Sequence, residues 1–292
     1  MEYLYVFLSV VLLAFGFVLQ RVYQSCAGQA NAAARFGLTA GVLSIGVMLV
    51  MNGLTIEFSW YSLINAALKA LVGFAYTVIG FDLMKRGKMV LYTLFLMSGG
   101  MLLPAIWGWC FLGDPLLPMR LIGTVVIVGA IAISGGKTEG VDTRTLIECV
   151  AVFVLNGFVS IFSKLHQANA DYQVVSTTAY ALYSATFSVG MNAAYFLATR
   201  RQAAAEQAEG NKKARRVRLL GIVALYSLIG TVSSLLQLEG AKTLPASVLY
   251  PMITGGSVVL TGLFALLFFG ERPSKREWIG IGLCLVGTLT FL

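Results

Sequence analysis

The chain has a single histidine, His166, among 292 residues, and only 12% of its residues are charged. Its four cysteines, Cys26, Cys110, Cys149 and Cys284, are scattered with no CxxC pair. Each scarcity excludes something. Metal-assisted hydrolysis needs clustered histidines and carboxylates, and nucleophilic triads need a histidine beside a serine or cysteine. With one histidine near the end of an apolar run, and with no HExxH, no GxSxG and no phosphate loop, no metal site and no catalytic residue is assignable. A lipid-phosphate enzyme would need an Arg/Glu/His cluster at one interface, which the sequence does not supply. The thiols read as packing residues rather than a disulfide framework. Soluble domains carry about a quarter charged residues. This shortage, with 58% hydrophobic residues and a mean hydropathy of +0.82, excludes disorder, coiled coil, collagen and an ordinary soluble domain.

What is present is a series of ten apolar stretches. They lie near Tyr3–Gln20, Ala33–Met51, Ser62–Leu83, Met89–Leu112 and Leu121–Ser134, then Leu146–Lys164, Val174–Thr199, Leu219–Leu238, Ala246–Phe269 and Trp278–Leu292. They are continuously apolar rather than alternating, and backbone groups in lipid must be satisfied within the segment, so helices are expected. The first stretch lacks a basic leader and a small-residue cleavage site and reads as a mature helix. Links are short and carry breakers, as in Gly113-Asp114-Pro115, Gly135-Gly136 and Gly270-Glu271-Arg272-Pro273. The exception is the charged link Arg200–Arg218, either a surface helix or a mobile loop.

The chain resembles itself at an offset of 157 residues. Ala67-Leu68 falls on Ala224-Leu225, Gly73 on Gly230, Asp82 on Glu239, Lys85 on Lys242 and Gly99 on Gly256. Gly113-Asp114 meets Gly270-Glu271, and Ile122-Gly123 meets Ile279-Gly280. Two acid–lysine pairs and several glycines in one register are hard to obtain by chance in an apolar chain. The expected fold is all-α and integral to the membrane: ten transmembrane helices as two inverted five-helix repeats, 1–136 and 142–292. Five spans per half is odd, so the second half enters the membrane with opposite orientation. Inverted repeats are a common architecture of secondary carriers, with the solute site near midplane between the halves.

The second half closes with Leu244-Pro245-Ala246-Ser247-Val248-Leu249-Tyr250-Pro251, then Phe269-Gly270-Glu271 and Trp278-Ile279-Gly280. That segment resembles the end of an EamA domain of the drug/metabolite transporter superfamily. The first half repeats it more weakly as Phe111-Leu112-Gly113-Asp114 and Leu121-Ile122-Gly123, and Gly157–Lys164 is similar to the opening helix of such a domain. The resemblance covers nearly the whole chain as two tandem copies. It implies ten helices around a central cavity and transport of a small metabolite, without choosing among amino acids, nucleotide sugars, cations and drugs. The small multidrug exporters of this superfamily rely on a glutamate within their first helix. The first span here has no carboxylate beyond Glu2, so their proton-coupled cation exchange does not carry over.

The basic residues set a topology. Seventeen of the 21 Lys and Arg lie in links after odd-numbered spans and three in links after even-numbered spans. The positive-inside rule then places Arg200–Arg218 in the cytoplasm and both termini outside, the reverse of the family's usual arrangement. The expected location is a plasma or inner membrane. The expected partners are a small-molecule substrate and the bilayer, with no nucleic acid, no cofactor, and a monomeric or homodimeric state.

One basic residue, Lys69, lies inside a span, where an ionisable group suggests function by default. It attracts an anionic group or alternates its charge during transport, or else it snorkels or pairs with a neighbouring helix. Tyr226 holds the matching position in the other half. Tyr76, Asn156, Ser160, Tyr226, Ser233, Tyr250 and Thr254 are polar groups near midplane, suited to hydrogen bonding a neutral or zwitterionic solute. Asp82/Lys85 and Glu239/Lys242, three residues apart on one helix face, are expected as helix-end ion pairs or as a gate. Glu148 opens the sixth span and is expected to cap it. Asp114 and Glu271 are expected in loop or capping roles. Trp107 and Trp109 read as interface anchors or as an aromatic wall. An exporter of drug-like or quaternary cations is the alternative substrate class, and a channel or scaffold the alternative of another kind.

Overall fold

The computed structural model describes residues 2–27, 31–51, 53, 55, 57–111, 118–134, 142–167, 172–205, 212–243 and 246–290. Among them it forms ten helices and no strand. These are α1 (Glu2–Ala27), α2 (Ala32–Met51), α3 (Trp60–Lys85), α4 (Met89–Phe111) and α5 (Pro118–Ser134), followed by α6 (Thr143–Gln167), α7 (Thr177–Ala205), α8 (Lys212–Thr243), α9 (Ala246–Phe269) and α10 (Lys275–Leu289). Seven of them, α1 to α4, α6, α8 and α9, hold described stretches long and apolar enough to cross a bilayer. Of the rest, α5 and α10 are short, at 17 and 15 residues, and pack on each other. The long α7 is diluted with Ser, Thr, Asn and Tyr and packs on α2. The result is an all-α membrane fold.

Helix ends follow local chemistry. Ser59 caps α3, its Oγ accepting the Ser62 N–H at 3.4 Å. Ser274 and Glu277 form a capping box on α10. Asp142, not Glu148, caps α6: its Oδ1 accepts the Thr145 N–H at 3.0 Å. Gly87 after α3 and Gly270 after α9 adopt φ of 72° and 64°, a left-handed conformation that costs glycine nothing and lets the chain leave the helix in one residue. The Gly-Glu pair at 270–271 therefore marks a turn that aims Glu271 back at the bundle. The Gly113-Asp114 and Gly135-Gly136 links lie outside the described residues.

Two boundaries differ from expectation. Nothing between Arg21 and Ala27 breaks a helix, so α1 continues well past Gln20. The charged link at 200–218 is largely helical, because α7 runs to Ala205 and α8 begins at Lys212, a composition rich in Ala, Gln, Glu, Lys and Arg that favours helix.

Most packing joins the first five helices to the last five. Helix α1 lies against α8 and α9, and α6 lies against α3 and α4; α2 meets α7, α4 meets α9, and α5 meets α10. Lipid tails are as apolar as leucine, so burial alone does not drive such contacts, and close approach of small residues does. Gly99 on α4 is an example: a Cβ there would overlap the Phe153 carbonyl of α6. Gly256, 157 residues later on α9, meets α1 the same way, a Cβ there lying 2.8 Å from Val10. The bundle centre is filled by Phe17, Tyr23, Phe36, Phe81, Tyr92 and Phe95.

Candidate functional site

At one end of the bundle the links after α3 and α9 lie near Arg21 of α1 and the first turns of α6, and charge is concentrated there. The last residues of α3 and the first turns of α6 are tied by a network. Arg86 pairs with Glu148, reaches Asp82 at 3.1 Å, and donates to Thr145 Oγ1 at 2.9 Å. Arg144 pairs with Glu148 at 2.8 Å and with Asp82 at 3.4 Å. Close by, against Gly87, Arg21 of α1 meets Glu271 at 3.5 Å and stacks over the Phe269 ring at 5.8 Å. Burial pushes the Glu271 carboxyl up to about 7 against the opposing pull of Arg21. Hydrogen bonding to Thr145 holds the Asp142 carboxyl below its ordinary range.

Beside this network lies a cavity of ≈ 360 Å³, within the size range of small-ligand sites. Its polar walls are Gln24, Asn31, Asp82, Lys85, Arg144 and Glu148, with Phe81 and Tyr195 among the others. Asn31 sits at φ 61° with its Oδ1 engaged by Thr199 and its buried Nδ2 without a partner. An orphaned donor there is costly unless something polar enters.

Deeper in, phenols and rings from both halves meet. Tyr226 of α8 packs on Phe36 of α2, with ring centroids 4.7 Å apart. Tyr76, Tyr92 and Tyr226 lie within electrostatic reach of one another. Tyr92 fills the space left by Gly80 of α3 and meets the Phe17 ring at 6.2 Å.

The opposite end is organised differently. Tyr61 stacks on Tyr172 at 5.0 Å and donates to the Leu165 carbonyl, and Ser59 donates to the Gln173 carbonyl at 2.5 Å. Glu57 accepts the Ser176 N–H at 2.6 Å, and the Ser176 hydroxyl first and this amide second lower its pKa. Just inside, the Lys69 ammonium stands over the Tyr180 ring at 4.7 Å, and His166 stacks on that ring at 3.8 Å. Tyr180 donates to Asn65 Oδ1 at 2.6 Å, and Ser62 Oγ lies 3.0 Å from His166 Nε2 while accepting the Val175 N–H. Burial first, and Lys69 second, lower the His166 pKa, so the ring is neutral. A lysine at a helix centre in the bilayer costs about 2.5–3.5 kcal/mol. A cation–π contact returns about 0.5–2 kcal/mol. Lys69 is thus only partly compensated, and no described carboxylate pairs with it.

These positions redistribute the residues singled out in the sequence. Tyr76 and Tyr226 come together at the centre, joined by Tyr92. Asn156 donates to the Leu96 carbonyl at 2.6 Å, Ser160 lies beside it against Gly100, and Ser233 donates to the Ser9 carbonyl at 2.9 Å. These contacts dock α6 on α4 and α8 on α1. Thr254 is buried within α9. The side chains of Tyr250, Glu239 and Lys242 lie outside the described residues. The expected Asp82–Lys85 pair is corrected: Asp82 pairs with Arg86 and Arg144, while Lys85 is exposed at the cavity rim. An arginine one residue further on lies at the i,i+4 spacing, and its planar fork serves two carboxylates at once. Arg144-x-x-x-Glu148 carried the same i,i+4 signal in the sequence. Nothing marked Asn31, whose role comes from the backbone turn before α2.

A bundle of apolar helices around a polar cavity between its two halves defines a multi-pass membrane transporter of small molecules, and not an enzyme. Residues 144–292 match the EamA-like transporter family, and the chain belongs to it and to the drug/metabolite transporter superfamily. Over 89 residues it is 36% identical to a Yersinia pestis protein named "Probable 4-amino-4-deoxy-L-arabinose-phosphoundecaprenol flippase subunit ArnE", covering 30% of this chain and 77% of that one. It is 35% identical over 72 residues to the spermidine export protein MdtI of Yersinia pseudotuberculosis, covering 25% of this chain and 64% of that one. A crystal structure of 15% identity superposes with a TM-score of 0.57 over 97% of this chain and 95% of the other, which shows the shared fold.

Proposed function

We propose that the chain is a secondary carrier of a small polar or amphipathic metabolite, working by alternating access between two inverted halves, 1–136 and 142–292. The observation that carries this reading is the cavity of ≈ 360 Å³ whose walls come from α1, α2 and α3 of the first half and α6 and α7 of the second. Its rim residues Lys85 and Arg144 are exposed, while the opposite end is closed by the Tyr61, Ser59 and Glu57 hydrogen bonds. One end open and the other closed is what alternating access requires. The exchange symmetry of the packing, with α1 on α8 and α9 as α6 is on α3 and α4, supports the inverted repeat. Tyr76 and Tyr226 are the solute contacts at the centre. Lys69, Asn156, Ser160, Ser233, Tyr250 and Thr254 complete the candidate set, and the ion pairs of Asp82 act as a gate. The basic-link end faces the cytoplasm of a plasma or inner membrane.

The relatives support two solute classes, a phosphate-linked glycolipid and a polyamine. The polyamine reading draws on Asp82, whose side chain is 42% exposed at the cavity rim and could meet an amine. The test is a thermal-shift panel of amino acids, nucleotides, sugars, amines and drugs on purified protein, followed by counterflow of the best hit in proteoliposomes. Saturable exchange that weakens several-fold in Tyr76→Phe and Tyr226→Phe is expected. Flux linear in concentration would make the protein a channel. Absence of flux alongside a stable protein partner would make it a scaffold.

A further inference from the structure

We propose that Lys69, Asn65 and His166 form a binding station for a phosphate-type oxyanion at the end of the bundle opposite the basic links. Lys69 and Asn65 are four residues apart and share one face of α3. Side chains on a helix point toward its N-terminus, so Lys69, roughly 14 Å along α3, extends outward toward the polar boundary. Its ammonium comes to rest over Tyr180, a residue in the first turn of α7. His166, at the last turn of α6, stacks on that same ring.

Three donor side chains surround Tyr180 here. The Lys69 ammonium has a ring face for company and no described carboxylate. Asn65 uses its Oδ1 to accept from Tyr180, which leaves its Nδ2 with no described partner. Ser62 already accepts the Val175 N–H, and its own proton can go to His166 Nε2. That tautomer places the other ring proton on Nδ1, again with no described partner. Asn65 and His166 are only 7% and 3% exposed as whole residues, yet neither of these two donor atoms is enclosed, so each reaches space that a ligand can enter. The described carboxylate of this end, Glu57, is held by the Ser176 N–H instead. A site with donors from two helices and no carboxylate paired to them among the described residues is complementary to a group with several anionic oxygens. A phosphate offers more such oxygens than a carboxylate and suits three donor side chains better. The position near the polar boundary fits a phosphate on a lipid and a phosphate on a water-soluble metabolite alike.

This assignment takes the substrate class from the carrier reading, but the binding itself does not depend on transport. The experiment uses the full chain in phosphatidylcholine nanodiscs, titrated with phenyl phosphate, farnesyl phosphate and benzylamine by calorimetry. Saturable binding of a phosphate and none of benzylamine is expected. Lys69→Met should weaken phosphate binding at least tenfold and His166→Gln at least threefold. Lys69→Arg should stay within threefold of the parent, and Lys275→Met, at an exposed position in the first turn of α10, should be unchanged. A tenfold preference for farnesyl phosphate assigns a lipid-linked source, and equal binding assigns a water-soluble one. The station is overturned if neither phosphate binds the parent protein, if benzylamine binds as well, or if Lys69→Met and His166→Gln bind normally. Should Lys69→Met fail to fold, the ligand comparison on the parent and His166→Gln decide the matter. Phosphate binding without any flux of a bound compound overturns the carrier reading alone. Flux without Lys69-dependent binding overturns the station alone.

Discussion

At the basic-link end Arg86 and Arg144 share Asp82 and Glu148, so both guanidinium groups have negative partners. At the opposite end Lys69 stands over a tyrosine ring beside a neutral histidine, and the described carboxylate of that end is bound to a backbone amide. Paired charges in a partly wet setting hold helices together and come apart when water or a ligand competes. A cation that has only a ring face among its described neighbours is a poor fastener, because the ring offsets only part of its desolvation. The first arrangement suits a gate and the second suits a ligand.

The comparison can be broken most directly at Glu148. Its replacement by leucine leaves two arginines to share Asp82 alone, and with side chains 18% and 29% exposed at Glu148 and Arg86 the loss should be about 2 kcal/mol once solvent screening is allowed for. Thermal unfolding in detergent measures it, and an Arg86→Leu, Glu148→Leu double variant should recover part of the loss. Lys69→Met should instead leave the unliganded protein as stable as before, or raise its stability by about 1 kcal/mol, since it removes an uncompensated cation. A loss like that of Glu148→Leu would mean that Lys69 is a structural contact after all.

The two ends should also answer pH with opposite signs. Glu271 has a folded-state pKa raised to about 7, so its contribution to stability is present at low pH and lost as pH rises through 7. His166 has a lowered folded-state pKa, so its contribution is present above its ordinary value of 6.5 and lost as pH falls below it. Glu271→Gln should remove the first slope and His166→Gln the second, read from melting temperatures between pH 5 and 8. Smallest of all, Lys85→Met should shift stability by under about 0.5 kcal/mol, because the residue is exposed and joins no described ion pair.

Much of the scaffold was legible before any coordinates. Continuous apolar runs can only be helices in lipid, and the 24 residues of α9 matched their run from end to end. The 157-residue register found Gly99 and Gly256, which turn out to occupy equivalent helix crossings. Sites were harder to read. Asn156 and Ser233 were legible as polar groups inside spans, but the carbonyl of a neighbouring helix to which each donates was not. His166 looked idle at a span end because its partners, Ser62 and Tyr180, come from other helices.

By itself the sequence determined the environment of this protein, the number of its helices and the uneven distribution of its positive charge. Those follow from composition and periodicity, which act residue by residue against the bilayer. Only the tertiary structure decided which charges are paired. Asp82 had a lysine at helical spacing within its own segment, and it was α6, 62 residues away, that brought Arg144 to it. Lys69 was marked by its isolation in an apolar run. The absence of a counter-charge among its described neighbours depends on how α3, α6 and α7 pack. Pairing is a property of distances across helices, and no local pattern along the chain encodes them.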